Sequence, residues 1–301
     1  MAKAYFINKV LPTTVVGSYP VVKGSGLRSI FDPLRSAVET AVADQIAAGV
    51  DIISDGQVRG DMIGAFAGKL PGIREQEVIG KVQPASGPIT VADTKYAISK
   101  AAKVKGIITG PTTLAHGLHL STPMYRNKEE LALDLVEPLA VEARSLEAAG
   151  ITLLQIDEPM FSTGIADLDV GKKAIEQIAA QVSVPVCMHV CGDLGNVIDD
   201  ILRINIQVLD FEFSKNPANL GLFGSRDLAG RMIGYGCVDS SSDTIETVAE
   251  IRKLIEKGIE VFDPKAMLID PDCGMRMRTR DAAFAKLKNM CAAAKEARLA
   301  L

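Results

Sequence analysis

Apolar and polar positions along the chain fall into a repeating unit. A short apolar, β-branched run ends in Gly, Asp or Pro, and a longer stretch with helical spacing follows. Short apolar runs bounded by turn residues read as strands buried on both faces. The first two are Thr13-Thr14-Val15-Val16-Gly17-Ser18 and Asp51-Ile52-Ile53-Ser54-Asp55-Gly56. Next come Lys105-Gly106-Ile107-Ile108-Thr109-Gly110-Pro111 and Leu153-Leu154-Gln155-Ile156-Asp157-Glu158-Pro159. The last four are Val186-Cys187-Met188-His189-Val190, Gln207-Val208-Leu209-Asp210-Phe211-Glu212, Arg231-Met232-Ile233-Gly234-Tyr235-Gly236-Cys237-Val238 and Ala266-Met267-Leu268-Ile269-Asp270-Pro271. Helical spacing marks residues 33–48, 129–149, 193–204, 245–257 and 280–299, and Gly150 stops the second of these. Eight alternations with short connections predict an α/β fold, a (β/α)8 TIM barrel forming one domain over residues 1–301. An open doubly wound sheet is the alternative. It lacks the Gly-x-Gly-x-x-Gly turn after the first strand that a dinucleotide fold would carry. Residues 71–103 break the rhythm with Gly80, Pro84, Gly87-Pro88 and the alternation Ile89-Thr90-Val91-Ala92. They read as a β-hairpin excursion after the second strand.

Composition narrows the class. The chain has 301 residues, 48% hydrophobic and 23% charged, with a net charge of −4. That balance fits a globular protein with a large core. No basic tract stands out, which argues against nucleic acid as partner. No apolar run approaches the ~20 residues of a membrane span. The stretch Met1-Ala2-Lys3-Ala4-Tyr5-Phe6 lacks the apolar core of a secretory signal. Five scattered cysteines do not make a disulfide framework. A reducing cytoplasm is the expected compartment, where thiols stay free to bind metal.

In a barrel the site lies at the C-terminal ends of the strands. Ser18, Asp55, Asp157, His189, Cys191, Glu212, Asp239 and Cys273 all fall at or just past such ends. His189 and Cys191 are two apart, so they share a face. One imidazole, two thiols and a carboxylate (His189, Cys191, Cys273 and Glu212) make a four-ligand zinc set. The competing reading is that these cysteines are small buried hydrophobes. It fits Cys187, one step deeper on the same strand, better than Cys191 or Cys273. Asp157 and Asp239 are the candidate catalytic carboxylates, and Asp239 also suits a helix cap.

Taken together, these stretches resemble the catalytic half of the cobalamin-independent methionine synthases. The resemblance rests on Thr14-Val15-Val16-Gly17-Ser18-Tyr19-Pro20, Gly110-Pro111-Thr112-Thr113, Gln155-Ile156-Asp157-Glu158-Pro159, His189-Val190-Cys191, Phe211-Glu212-Phe213-Ser214-Lys215, Gly234-Tyr235-Gly236 and Pro271-Asp272-Cys273-Gly274. It runs nearly end to end, without the amino-terminal barrel of the long enzymes, so the chain looks like a short, single-barrel core form. The resemblance implies zinc on His189, Cys191, Glu212 and Cys273, homocysteine held by Ser18 and Asp157, and methylation of its thiol to give methionine.

Three departures from the family pattern bear on the substrates. Gln57 stands where the long enzymes have a carboxylate for the substrate ammonium. Ser241, beyond Asp239, stands where they have a proton-relaying His. His116-Gly117 replaces their Asn-Trp pair beneath the folate ring, and the chain has no Trp at all. The last two departures, together with the missing amino-terminal barrel that helps the long enzymes bind polyglutamyl folate, favour a methyl-corrinoid, carried by a separate corrinoid protein, as methyl donor over methyl-tetrahydrofolate. Transfer to another thiol such as coenzyme M uses the same zinc chemistry, but a sulfonate thiol offers no ammonium to Asp157. A non-catalytic zinc-binding barrel and a zinc hydrolase complete the alternatives. The hydrolase ranks last because two cysteinates weaken zinc as a Lewis acid.

Overall fold

Six of the eight apolar runs become regular strands. In the computed structural model, which describes residues 7–24 and 32–301, three short strands, β1 (Ile73–Arg74), β2 (Glu77–Val78) and β4 (His119–Leu120), accompany these six: β3 (Lys105–Thr109), β5 (Leu153–Asp157), β6 (Val186–Val190), β7 (Val208–Glu212), β8 (Met232–Gly236) and β9 (Met267–Asp270). They pair in parallel in the order β3-β5-β6-β7-β8-β9. The two amino-terminal runs shrink to single bridges. Thr14 pairs with Ile52, Ile53 with Val104 and Thr13 with Ile269, all in parallel. Those bridges carry the sheet from its last strand back to its first, so the eight-stranded parallel barrel closes. The amino-terminal hexad, read above as no signal peptide, lies outside the described residues.

Alternation inside the strands sets a gradient along the barrel axis. Ile52, Leu153, Cys187, Val208, Met232 and Leu268 pack as one apolar layer. Two residues further along come Gln155, His189, Asp210, Gly234 and Asp270, all in strands with every residue buried. The barrel is therefore oily at one end and polar at the end that bears the site. The larger apolar cluster lies between the strands and the surrounding helices.

The helices follow their end signals. Gly49 (φ 90°) and Gly150 (φ 102°) close their helices in the left-handed region. Thr247 and Glu250 form a reciprocal capping box at the start of Val248–Ile259. Three expectations change. Residues 129–149 form two helices, Lys128–Asp134 and Val136–Ala149. Pro138 has no N–H for the carbonyl of Asp134, which breaks the ladder there. Only Ile198–Ile201 of 193–204 is α-helical. Asp193 accepts the Gly195 N–H at 2.8 Å and holds a turn instead. The excursion after the second strand does contain an antiparallel hairpin, β1 (Ile73–Arg74) with β2 (Glu77–Val78), extended by β4 (His119–Leu120). The alternation at 89–92 runs into the helix Val91–Ile98 rather than a strand. The buried Glu142 carboxylate fixes that entry by accepting Ile89 N (2.8 Å), Thr90 N (2.7 Å) and Thr90 Oγ1 (2.8 Å).

Candidate active site

Register brings the chemistry together. Asp157 at the end of β5 pairs with His189 on β6, and His189 pairs with Asp210 on β7. One donor atom each from His189, Cys191 and Cys273 lies within 4.8 Å of the others. His189 is 2% exposed. Its Nδ1 meets Asp210 Oδ1 at 3.2 Å, and its Nε2 is buried with no hydrogen-bond partner. A carboxylate acceptor puts the ring proton on Nδ1 and leaves the Nε2 lone pair free, the arrangement that metal-bound imidazoles use. A buried nitrogen without a partner is costly in a purely structural role. The donor set of one nitrogen and two sulfurs fits zinc.

Electrostatics follow from burial and pairing. Burial alone would lower the His189 imidazole, but the Asp210 carboxylate and the Cys273 sulfur together raise it well above its usual value in the metal-free protein. A metal at Nε2 would take the place of the second ring proton and leave the first on Nδ1. A hydrogen bond from the Cys273 thiol lowers Cys191, and the same contact together with burial raises Cys273. Without metal the two sulfurs thus titrate as a pair. Asp210 packs against Asp270, and the two carboxyls split: Asp270 is pushed far up, Asp210 down. Gly234 makes this possible, since a Cβ there would come within 2.6 Å of the Asp210 carboxyl carbon.

A cavity of about 420 Å³ opens beside the cluster, lined by Ser18, Asp55, Gln57, Asp157, Arg276 and the His189–Cys191–Cys273 group among others. Burial raises Asp157, against the pull of His189 and the Gln155 amide. Its Oδ1 accepts Gln155 Nε2 at 2.7 Å. Gln155 is itself held by the fully buried Lys105, whose Nζ donates to Gln155 Oε1 (2.5 Å) and Val15 O (2.6 Å). Burial pushes Asp55 up to about 6. Asp55 Oδ1 accepts the Gln57 N–H at 2.9 Å, and Gln57 sits at φ 44°, an unusual backbone state for a side chain aimed into a cavity. Ser18 is tied to the Cys273 loop, because its carbonyl accepts Met275 N at 2.8 Å.

Two predicted residues stand apart. The Glu212 carboxylate, at the end of β7, accepts the Asn216 amide and is not a member of the three-residue cluster. Asp239 does not line the cavity. Its carboxylate accepts Ser241 N at 2.7 Å, closing the turn after β8. Sequence reasoning missed Lys105, Gln155 and Asp270 as the layer beneath the site. Their signal was a polar residue at an inward position of an otherwise apolar strand.

A parallel barrel with an imidazole and two thiols converging on a mouth cavity defines a barrel with a candidate thiol-rich metal site at the C-terminal ends of its strands. The family model for the cobalamin-independent synthase catalytic domain matches residues 11–296. The chain belongs to the cobalamin-independent methionine synthase family, whose members are methyltransferases. A methionine synthase of Methanothermobacter thermautotrophicus is 42% identical over 304 residues, covering 94% of this chain and 99% of the relative. One from Methanocaldococcus jannaschii is 41% identical over 307 residues, covering 94% and 98%. Among solved structures, a B12-independent methionine synthase from a Shewanella species in complex with selenomethionine superposes with TM-score 0.85 at 24% identity, covering 97% of this chain and 100% of that one. That likeness bears on the fold. Among the described residues, no helix is long and apolar enough to cross a membrane.

Proposed function

We propose that this protein methylates the thiol of homocysteine to give methionine at a zinc site held by His189, Cys191, Cys273 and Glu212. The observation that carries the reading is the buried, unpartnered His189 Nε2 grouped with two thiols beside a cavity that also contains Asp157. Zinc bound to these residues would supply Lewis acidity that converts a substrate thiol, mostly protonated at neutral pH, into the nucleophilic thiolate. The chain's own groups do the rest. Asp210 keeps the proton of His189 on Nδ1, so Nε2 stays a donor toward the cluster. Asp157, its Oδ1 fixed by Gln155, holds the substrate ammonium through a charge-assisted hydrogen bond. Ser18 holds the substrate carboxylate. Glu212 is the hardest donor of the set and the one to yield to substrate sulfur, with Asn216 receiving its carboxylate. Asp239 contributes from outside the cavity, by holding the turn that follows β8.

The methyl donor is a methyl-corrinoid presented by a separate protein. At position 117 a side chain would collide with Ile63, so the place of a ring-stacking Trp is filled. Ser241 offers no base to manage a proton. A methyl–cobalt bond needs none: the methyl leaves for sulfur and cobalt keeps the bonding pair. The test is methionine formation from homocysteine by zinc-loaded protein, with methylcobalamin and, separately, methyl-tetrahydrofolate mono- and polyglutamates. Methionine from methylcobalamin is the expected result. Turnover with the folate alone would overturn the donor assignment but keep the reaction. No methionine from either would overturn both.

A further inference from the structure

The three proposed ligand loops do not stand alone, and one short stretch touches two of them. Residues 213–219 follow Glu212. The Asp272 carboxylate, next to Cys273 and 1% exposed, accepts three consecutive backbone N–H groups from this stretch: Phe213 (3.1 Å), Ser214 (2.9 Å) and Lys215 (2.8 Å). At the other end Asn219, also 1% exposed, reaches the Cys191 loop. Its Nδ2 donates to Gly192 O and to Glu212 O, both at 2.9 Å, and its Oδ1 accepts Leu194 N at 3.1 Å. The Asn219 side chain is thus matched in both donor and acceptor directions, which an aspartate or leucine of the same size would not be. Gly236 completes the arrangement. A Cβ there would come within 2.8 Å of both Cα and Oδ1 of Asp272.

We propose that residues 213–219 form a rigid frame that positions both cysteine ligands, with Asp272 and Asn219 as its two positioning residues. The inference rests on the zinc reading above. Its physical basis is that the loops after three different strands have no common backbone ladder, so their relative placement depends on side chains that cross between them. Asp272 fixes the Cys273 loop to the frame, and Asn219 fixes the Cys191 loop to the same frame. The sulfurs are therefore held within reach of His189 before metal arrives. Outer-shell groups that orient ligands are typically worth about 10- to 100-fold in metal affinity.

The test measures zinc affinity by competition with a chromophoric chelator, on full-length protein, for Asp272→Asn, Asn219→Asp and Gly236→Ala. Glu147→Gln is the control: its carboxylate accepts Ser183 and Val184 N–H groups ahead of β6, at the opposite end of the barrel. The expected result is zinc binding about 10- to 100-fold weaker in Asp272→Asn and Asn219→Asp, with an altered thiolate charge-transfer band in the cobalt(II)-substituted forms. The control should keep wild-type affinity and spectrum. Gly236→Ala moves Asp272 while keeping its carboxyl group and should shift the spectrum in the same way. If these variants bind zinc within about twofold of wild type, with unchanged cobalt spectra, the frame is wrong while the zinc reading stands. If wild type itself binds no zinc, the frame falls along with that reading.

Discussion

Two of the carboxylates that line the cavity, Asp157 and Asp55, sit in environments that make distinct demands. Asp157 sits beside His189 across the β5–β6 register and is the proposed ammonium holder. Replacing it by Asn keeps the shape and removes the charge. Loss of a buried charged hydrogen bond is worth about 1.5–3 kcal/mol, so Asp157→Asn should raise the homocysteine KM by about one to two decades while zinc content stays at the wild-type level. Steady-state kinetics with metal analysis checks both halves, and an unchanged KM would place the ammonium elsewhere. Asp55 is costly to ionise in the folded state, because burial lifts it to about 6 from 3.8. A carboxyl raised in the native state favours folding while protonated, and that benefit is lost as pH rises through the native value. Asp55→Asn should therefore be more stable than wild type above about pH 6, by on the order of 3 kcal/mol. The advantage should fade as pH falls toward 4. Denaturant melts at pH 7.5 and pH 4.5 compare the two, and equal stability at pH 7.5 would contradict the argument. A group that costs stability at the mouth of a cavity is one the chain keeps for another reason.

Elements carry the second kind of test, where local propensity and packing disagree. Gly258 lies inside the helix Val248–Ile259, where Ala is the better helix former by about 1 kcal/mol. An added methyl there would come within 2.8 Å of Met267 Cε and of the Tyr235 ring, which is stacked on Phe213. Overpacking costs about 1–3 kcal/mol, so Gly258→Ala should destabilise the protein despite its propensity. A rise in melting temperature would mean that the helix can shift away from the barrel. The same contest explains which elements were legible in the sequence. The strands from 105 onward and the helix 280–299 stood out because burial on both faces and a long periodic pattern leave one reading. The helix Val91–Ile98 did not, because a four-residue alternation is overridden by Glu142, fifty residues away in sequence. The two amino-terminal strands were read too long, since only two residues of each, Thr13 and Thr14 and then Ile52 and Ile53, meet a partner strand. The site was legible where motif and strand end coincide, as at His189 and Cys191. Asp272 and Asn219 were opaque because their partners are backbone groups on other loops, which leave no mark in the pattern.

At the scale of the whole molecule, fold and site are separable. The apolar cluster between strands and helices and the apolar layer at the base of the barrel do not include His189, Cys191 or Cys273. Removing metal should thus leave the far-ultraviolet circular dichroism intact, unlike a zinc finger, whose fold depends on its ion. Chelation should lower the melting temperature by the binding contribution alone. Cooperative loss of helix signal on chelation at 25 °C would contradict this. The barrel then serves as a stable support on which one register row, Asp157–His189–Asp210, and the loops after β6, β7 and β9 present the chemistry. The central claim is that this presentation turns a protonated substrate thiol into a thiolate at neutral pH. The most direct measurement is proton release on homocysteine binding, read by calorimetry at pH 7 in buffers of different ionisation enthalpy. Zinc-loaded wild type should release about one proton per homocysteine bound, as expected when a thiol near pKa ~8.5 is deprotonated on binding, and metal-free protein and Cys191→Ser should release almost none. Binding to the zinc-loaded protein without proton release, or equal release from the metal-free form, would contradict the account.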